Sequence, residues 1–479
     1  MEQNYSQKLD AFIAEKKEAT HLINSVGNLL YKKGIELVLF RKHLIDKNVS
    51  DILRLHQYAT NFVKKPINIF DSAKLAQILT SMDLAPAKID IGKLTYEYLL
   101  EKKQYKDQLD FLNAKIGFIK NSKDTIQNSK DVVLYGFGRI GRLCARELIK
   151  QAGKGQQLRL KGVILRKIDE NSLIKRCALL RQDSVHGSFS SSIEIDDKNL
   201  SIVINGQEIK FFDESTKHNL KDYGINDALL IDNTGVFKTS EALQQHLKID
   251  GISKVLLTAP GTGIPNIVYG VNQEKINIEK DLVVSAASCT TNAIAPILEV
   301  IENFNEIKKG HIETIHAYTN DQNLLDNMHS KSRRGRSAAI NMVITSTGAG
   351  KAVTKVIPSL KNKLTANAIR VPTPNGSLAI INLELTQSVS FETINELIRK
   401  AALEGPLVNQ IKFSMNSELV STDIIGNEGA SIFDSPATIV SKDGKNIILY
   451  IWYDNEFGYT KQVIRLAKYI SKVRRLHYY

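Results

Sequence analysis

Cysteine is scarce in this chain of 479 residues, with only Cys144, Cys177 and Cys289. Three thiols make no disulfide framework. No apolar run approaches the roughly 18–20 residues that a membrane span requires, and the N-terminus carries no signal-peptide pattern, so a reducing, cytoplasmic setting without membrane contact is expected. Motifs that interleave basic and aromatic residues are missing as well. The net charge of +13 is spread along the chain and suits anionic small molecules such as sugar phosphates and dinucleotides, with no nucleic acid expected. No bound metal is expected. What is present is enough apolar material, 43% of residues, to build cores for two or three domains.

Residues 1–128 are rich in Leu, Ile, Lys and Glu and poor in glycine, with no internal repeat. Leu9, Phe12, Ile13 and then Leu22, Ile23, Val26, Leu29 and Leu30 recur at helical spacing. Pro66 and Pro86 divide the stretch into about four to six helices, and Asn121-Ser122-Lys123-Asp124 with Asn128-Ser129-Lys130 marks a boundary. This all-α extension carries no chemical motif; packing on the rest of the protein or at a subunit interface is one role, a separate regulatory module another.

Cys289 lies in Ser285-Ala286-Ala287-Ser288-Cys289-Thr290-Thr291-Asn292, where an apolar helix begins at Ala293. Exposed N–H groups and the positive end of a helix dipole favour the anion and can bring a cysteine pKa from about 8.5 into roughly the 3.5–7.5 range. Cys289 is therefore the candidate nucleophile. A base is needed beside it, and the chain offers His316 at the end of a short strand in Glu313-Thr314-Ile315-His316-Ala317.

A second signal is Val132-Val133-Leu134-Tyr135 followed by Gly136-Phe137-Gly138-Arg139-Ile140-Gly141 and a helical run to Lys150. Strand, glycines and helix in this order predict a dinucleotide-binding turn: Gly136 for the tight turn, Gly138 for approach of a diphosphate, Gly141 for close packing of helix on strand. After the next strand, Leu158–Leu165, an NAD enzyme usually carries an acid for the ribose 2′-hydroxyl; here Arg166 and Lys167 follow. A guanidinium can bind a 2′-phosphate bidentately, so the pair leans towards NADP or dual use, while Asp169 could return a carboxylate to the ribose. Further strands, Asp227–Ile231 and Lys254–Leu257, end in turn residues and alternate with helices in a doubly wound pattern.

The Ser-Cys-Thr-Thr-Asn run, His316-Ala317-Tyr318-Thr319, Ser346-Thr347-Gly348-Ala349, Arg370-Val371-Pro372-Thr373-Pro374-Asn375 and Trp452-Tyr453-Asp454-Asn455-Glu456 occur in one order. From about residue 131 to the C-terminus the chain resembles phosphorylating glyceraldehyde-3-phosphate dehydrogenase. The resemblance implies an α/β architecture: a Rossmann-type coenzyme domain over 129–288, completed by 456–479, and an α+β catalytic domain over 289–455. It implies that Arg139, Ile140, Thr234, Gly235 and Thr258 join the glycines at the cofactor and that Asn455 holds the nicotinamide carboxamide. It places the substrate's own phosphate at Thr319, Asp321 and Arg370, and the attacking phosphate at Ser288, Thr290, Thr347, Gly348 and one of Arg333 or Arg334. It also implies a homotetramer.

The expected reaction is oxidation of glyceraldehyde 3-phosphate to 1,3-bisphosphoglycerate through a cysteine thioester, with inorganic phosphate as second substrate and NAD or NADP as oxidant. A related enzyme for erythrose 4-phosphate or another phosphosugar aldehyde is the alternative, and a non-catalytic binding protein on the same fold a third. Tyr135 stands where the family often has asparagine, Arg166 where it has an acid, and Ala293 where many members carry a second cysteine.

Overall fold

The computed structural model describes residues 2–120, 128–151 and 157–479, and the chain separates into two compact units. The first contains the described residues up to Ser129, those of Gln151–Leu158, and Val473–Tyr479; the second contains Lys130–Lys150 and Arg159–Lys472. Asn121-Ser122-Lys123-Asp124 lies outside the described residues.

In the first unit, the opening helix Glu2–Lys33 buries Ala19, Leu22, Val26 and Leu29, spaced three and four apart so that they share one face. The later helices each start on a polar cap. Asn48, Asn68, Asp90 and Asp107 accept an N–H from the first turn of Val49–Tyr58, Ile69–Ser81, Ile91–Glu101 and Gln108–Ile116 respectively. To these helices the structure adds a four-stranded sheet in the order Lys42–His43, Glu36–Leu39, Ala87–Asp90, Leu476–Tyr478. Asp90 anchors it: besides capping a helix, its carboxylate accepts the N–H groups of Phe40 at 2.8 Å and Arg41 at 3.1 Å, which hold left-handed φ values of 43° and 70° in the turn between the first two strands. The last strand pairs Leu476 with Ala87 and Tyr478 with Ile89. The final seven residues, Val473–Tyr479, thus group with the first unit.

The second unit contains two eight-stranded sheets. One runs Val283–Ser285, Ile252–Leu257, Ala228–Asp232, Lys130–Tyr135, Leu158–Ile164, Gln207–Phe212, Ser201–Ile204, Ile193–Asp196, parallel between the pairs 283/252, 252/228, 228/130 and 207/158 and antiparallel over the last two strands. The strand order reverses between Lys130–Tyr135 and Ala228–Asp232. Beyond the carboxyl ends of these two strands lies the crevice where such sheets bind ligands. In the other sheet, Val343–Thr345, Leu364–Val371, Ile307–Ala317, Ser377–Leu385, Asn446–Tyr453, Ser431–Asp434 and Ile411–Ser414 are neighbours in turn, with Ile439–Val440 beside Asn446–Tyr453. Ile381, Leu383 and Leu385 are fully buried while Asn382 is exposed, the alternation expected of a strand with one face in the core.

Two helices join the sheets. Cys289–Phe304 buries Ala293, Ile294, Ile297, Leu298 and Ile301 in the core beneath the second sheet. Phe457–Ile470 returns to the coenzyme side, where Lys461 Nζ bonds Glu147 Oε2 at 2.7 Å on the helix Arg139–Lys150 and Glu428 Oε1 at 3.1 Å. Among the described residues no helix is long and apolar enough to cross a membrane.

Candidate active site

The strand Val283–Ser285 turns into the helix Cys289–Phe304 through Ala287, a non-glycine residue at φ 55°. Side chains hold this turn: Ser285 Oγ accepts Ala287 N–H at 2.9 Å, Tyr459 donates its hydroxyl to Ala287 O at 2.9 Å, and Asn292 Nδ2 donates to Ala286 O and Ser288 O at 2.8 and 2.9 Å. Left-handed backbone of this kind persists only where its surroundings fix it. Ser288 caps the helix, its Oγ accepting Thr291 N–H at 3.1 Å, and Cys289 occupies the first helical position.

His316, near the end of the strand Ile307–Ala317, brings Nε2 to 3.7 Å from Cys289 Sγ. Its Nδ1 stands 2.7 Å from Ala317 O and 2.8 Å from Arg370 Nη1. Donation from Nδ1 to Ala317 O leaves an Nε2 lone pair facing the thiol, as a base requires. Burial, with the Arg370 charge alongside, pushes His316 down to about 3. The half-buried Cys289 behaves differently from the sequence expectation. Loss of solvent raises its thiol above the ordinary value, outweighing the Thr290 hydroxyl, the Arg370 charge and backbone N–H groups that favour the anion. The resting pair is thus neutral thiol and neutral imidazole.

Two arginines turn inward around the pair. Arg370 donates from Nη1 to Ala317 O at 2.7 Å and to Thr319 Oγ1 at 3.4 Å, while its buried Nε has no hydrogen-bond partner among the described residues. Of Arg333 and Arg334, only Arg334 is buried; it pairs with Asp321 and donates from Nε to Thr345 Oγ1 at 3.2 Å. Asp321 also accepts the Thr319 hydroxyl. The two expected anion sites therefore share Asp321, which bonds one residue from each. Thr290 is buried, its Oγ1 3.1 Å from Tyr453 OH. Thr347 and Gly348 stand at the start of the helix Ala349–Val356, where Thr347 Oγ1 accepts Ala349 N–H at 3.2 Å, and this helix packs against Cys289–Phe304.

The glycine turn fits a dinucleotide diphosphate. Gly136 adopts φ +92° and donates its N–H to Ile164 O at 2.9 Å. A Cβ on Gly141 would meet Gly136 O at 2.3 Å, whereas one on exposed Gly138 would meet nothing within 4 Å. Gly138 thus opens onto free space, in front of the first N–H groups of the helix Arg139–Lys150, which have no acceptor within the helix. The Arg139 guanidinium is engaged elsewhere, by Glu456 at 2.5 and 2.6 Å and Asp183 at 3.1 Å, leaving its main chain and that of Ile140 at the turn. Thr234 bonds Asp232 Oδ1 through N–H and hydroxyl at 2.8 and 2.7 Å, Gly235 has φ +68°, and Thr258 bonds Asp232 O through N–H and hydroxyl at 3.0 and 2.9 Å. All three follow the carboxyl ends of the strands Ala228–Asp232 and Ile252–Leu257. Arg166 is exposed at the end of its strand, while Asp169 accepts Ser172 N–H at 2.8 Å as a helix cap.

Several side chains here gain partners that the sequence does not reveal. Asn375 Oδ1 accepts Asn455 N–H at 3.2 Å, Asn375 Nδ2 donates to Asp454 Oδ1 at 2.8 Å, and His186 Nε2 lies 3.0 Å from Asp454 Oδ2. Ser377 Oγ bonds Asn455 Oδ1 at 2.9 Å. Asn375 and Asp454 lie inside motifs that look characteristic, but only the fold gives them partners.

Comparison with known proteins agrees with this arrangement. Residues 130–240 match the family described as glyceraldehyde 3-phosphate dehydrogenase, NAD binding domain, and residues 288–455 that described as glyceraldehyde 3-phosphate dehydrogenase, C-terminal domain. A glyceraldehyde-3-phosphate dehydrogenase-like protein of Pseudomonas aeruginosa (strain UCBPP-PA14) is 43% identical over 458 residues, covering 94% of this chain and 98% of its own, so that likeness reaches into the N-terminal extension. Glyceraldehyde-3-phosphate dehydrogenase of Clostridium pasteurianum is 38% identical over 349 residues, covering 72% of this chain and 99% of its own. Glyceraldehyde-3-phosphate dehydrogenase 1 of Bacillus subtilis (strain 168) is 38% identical over 342 residues, covering 71% and 98%.

Proposed function

The chain belongs to the glyceraldehyde 3-phosphate dehydrogenase family, and on that premise we propose that it oxidises glyceraldehyde 3-phosphate, with uptake of inorganic phosphate, through a thioester on Cys289. The observation that carries the proposal is Cys289 Sγ at 3.7 Å from His316 Nε2, at a helix start flanked by the inward-turned Arg370 and Arg334.

Because both groups rest neutral, attack and proton transfer go together. Cys289 Sγ bonds to the aldehyde carbon as its proton passes to His316 Nε2, and the Cys289 backbone N–H supports the oxyanion. Arg370 and Thr319 hold the substrate's phosphate, Asp321 orienting the Thr319 hydroxyl and Arg334 beside it, and so fix the carbonyl over the sulfur. Asn455 would hold the carboxamide of a nicotinamide, which would supply the acceptor for the hydride of the thiohemiacetal carbon. Cys289 then carries a thioester. Phosphate seated by Ser288, Thr290, Thr347, Gly348 and Arg334 attacks that carbon through oxygen and gives its own proton to solvent; the C–S bond breaks, His316 returns its proton to the Cys289 sulfur, and acyl phosphate and thiol result. Catalysis is reversible.

Arg166 and the commitment of Asp169 to a helix cap support NADP or dual use over strict NAD dependence. Leu324, Leu325, Met328, Ile340 and Met342 are between 74% and 93% exposed on the stretch between Asp321 and Val343, which supports a homo-oligomer, a tetramer by family likeness, in which a second copy covers them. A cytoplasmic location goes with this reading. Steady-state oxidation of glyceraldehyde 3-phosphate, with NAD and NADP side by side and with phosphate omitted in parallel, tests the proposal. Phosphate-dependent turnover lost in Cys289→Ser supports it; turnover independent of phosphate, or faster with erythrose 4-phosphate, overturns it.

A further inference from the structure

Ser377 opens the strand Ser377–Leu385, pairs across the sheet with Tyr453, and is fully buried. Its hydroxyl lies beside the Tyr453 hydroxyl and bonds two further partners of opposite kind. It accepts the Ala317 N–H at 3.1 Å, and that N–H belongs to the peptide bond immediately after His316. It donates its single proton to Asn455 Oδ1, 2.9 Å away. Asn455 is also held through its main chain, whose N–H donates to Asn375 Oδ1 at 3.2 Å; Asn375 is fixed in turn by accepting Gly376 N–H and donating to Asp454 Oδ1, both at 2.8 Å.

An asparagine side chain can rotate by half a turn and exchange its oxygen for its nitrogen at almost no steric cost, so only a hydrogen-bond partner decides which end faces a ligand. Ser377 is that partner. We infer that Ser377 is a positioning residue: by holding Asn455 Oδ1 it fixes the amide so that Nδ2, a donor, faces the nicotinamide and selects the carbonyl oxygen of its carboxamide. Because the same hydroxyl holds the peptide following His316, one side chain sets the orientation of the cofactor ring and the strand that carries the base. This rests on the reading of Asn455 as the residue that meets the nicotinamide.

The test measures binding by isothermal titration calorimetry, separately from turnover. Oxidised NAD, or NADP if it binds more tightly, is compared with its 3-acetylpyridine analogue, which keeps the carbonyl acceptor and replaces the NH2 donor by a methyl group. Native enzyme should bind the two within about threefold of each other, since an Nδ2 donor uses only the carbonyl. In Ser377→Ala the released amide can also turn its oxygen outward, which helps only the natural carboxamide. The affinity ratio should then move towards the natural cofactor by roughly threefold or more, the share of one uncharged hydrogen bond, while Ser377→Thr, which keeps the hydroxyl, holds the native ratio. A native enzyme that rejects the analogue by roughly tenfold, or a Ser377→Ala ratio equal to the native one, overturns the inference. Asn455→Ala serves as a control: unchanged affinity for both cofactors would remove Asn455 from the nicotinamide, a failure distinct from that of Ser377.

Discussion

Arg370 Nη1 stands 2.8 Å from His316 Nδ1, the ring nitrogen that does not face the Cys289 sulfur. A fixed positive charge there opposes protonation of the imidazole, adding to the effect of burial that brings His316 to about 3. In the proposed reaction Arg370 would do two things, receive an anion and keep the base unprotonated.

Arg370→Ala should separate these roles. Loss of a charge-assisted bond of about 1.5–3 kcal/mol raises the KM for the phosphorylated aldehyde by roughly ten- to a hundredfold. The KM for an unphosphorylated aldehyde should stay near its native value. Equal losses with both substrates would make Arg370 a support of the fold instead of a phosphate ligand.

The neutral resting pair makes a prediction for thiol reactivity. With Cys289 above its ordinary value and His316 near 3, the rate of alkylation by iodoacetamide should climb with pH through a single inflection above the free-cysteine value, with no plateau at lower pH. A flat rate between about pH 5 and 8 would instead reveal a thiolate–imidazolium pair.

His316 should also cost stability in acid. Its folded value, about 3, lies below the unfolded value of 6.5. Between the two, the unfolded chain binds a proton that the folded chain does not, so stability is complete above pH 6.5 and falls as pH drops towards 3. The slope is about 1.4 kcal/mol per pH unit, or about 2 kcal/mol from pH 7 to pH 5. Urea unfolding of His316→Asn at those two pH values should show a correspondingly smaller acid loss than the native protein. An identical loss would mean that His316 titrates normally.

Much of the second unit is legible in sequence because its signals are local. A strand, three glycines and a helix occupy neighbouring residues, and the hydroxyls around Cys289 mark a capped helix start. The pKa of Cys289 is not local: proximity to the helix terminus predicts a lower value, while burial by distant segments raises it. The small sheet of the extension is equally hidden. Its strands are two to four residues long, too short for alternation to register, and one partner comes from the far C-terminus. The bond from Ser377 to Asn455 joins residues 78 apart in sequence and is equally hidden.

Two glycines of the cofactor turn should fail in different ways. A Cβ at Gly141 would lie 2.3 Å from Gly136 O, a backbone atom that cannot step aside, so Gly141→Ala should lower Tm as well as cofactor affinity. At Gly138 the same methyl meets no protein atom within 4 Å. Gly138→Ala should keep the native Tm and weaken dinucleotide binding by roughly tenfold or more, because the methyl takes the space the diphosphate needs. Undiminished cofactor affinity in Gly138→Ala would move the diphosphate away from this turn.

Arg166 bears on the choice between NAD and NADP. It is exposed at the carboxyl end of its strand, and its charge acts on the Tyr135 hydroxyl, which burial and Glu214 push up and Arg166 draws down. Asp169, the carboxylate that could otherwise serve the ribose, is tied to Ser172 N–H at 2.8 Å. Arg166→Asp should therefore weaken NADP by removing a partner of the 2′-phosphate and adding repulsion, while giving NAD an acceptor for its 2′-hydroxyl. The two effects act in opposite directions, so the ratio of NADP to NAD in kcat/KM should fall by at least roughly tenfold, or about 1.4 kcal/mol. A ratio unmoved by the substitution would leave Arg166 in solvent and make NAD the working cofactor.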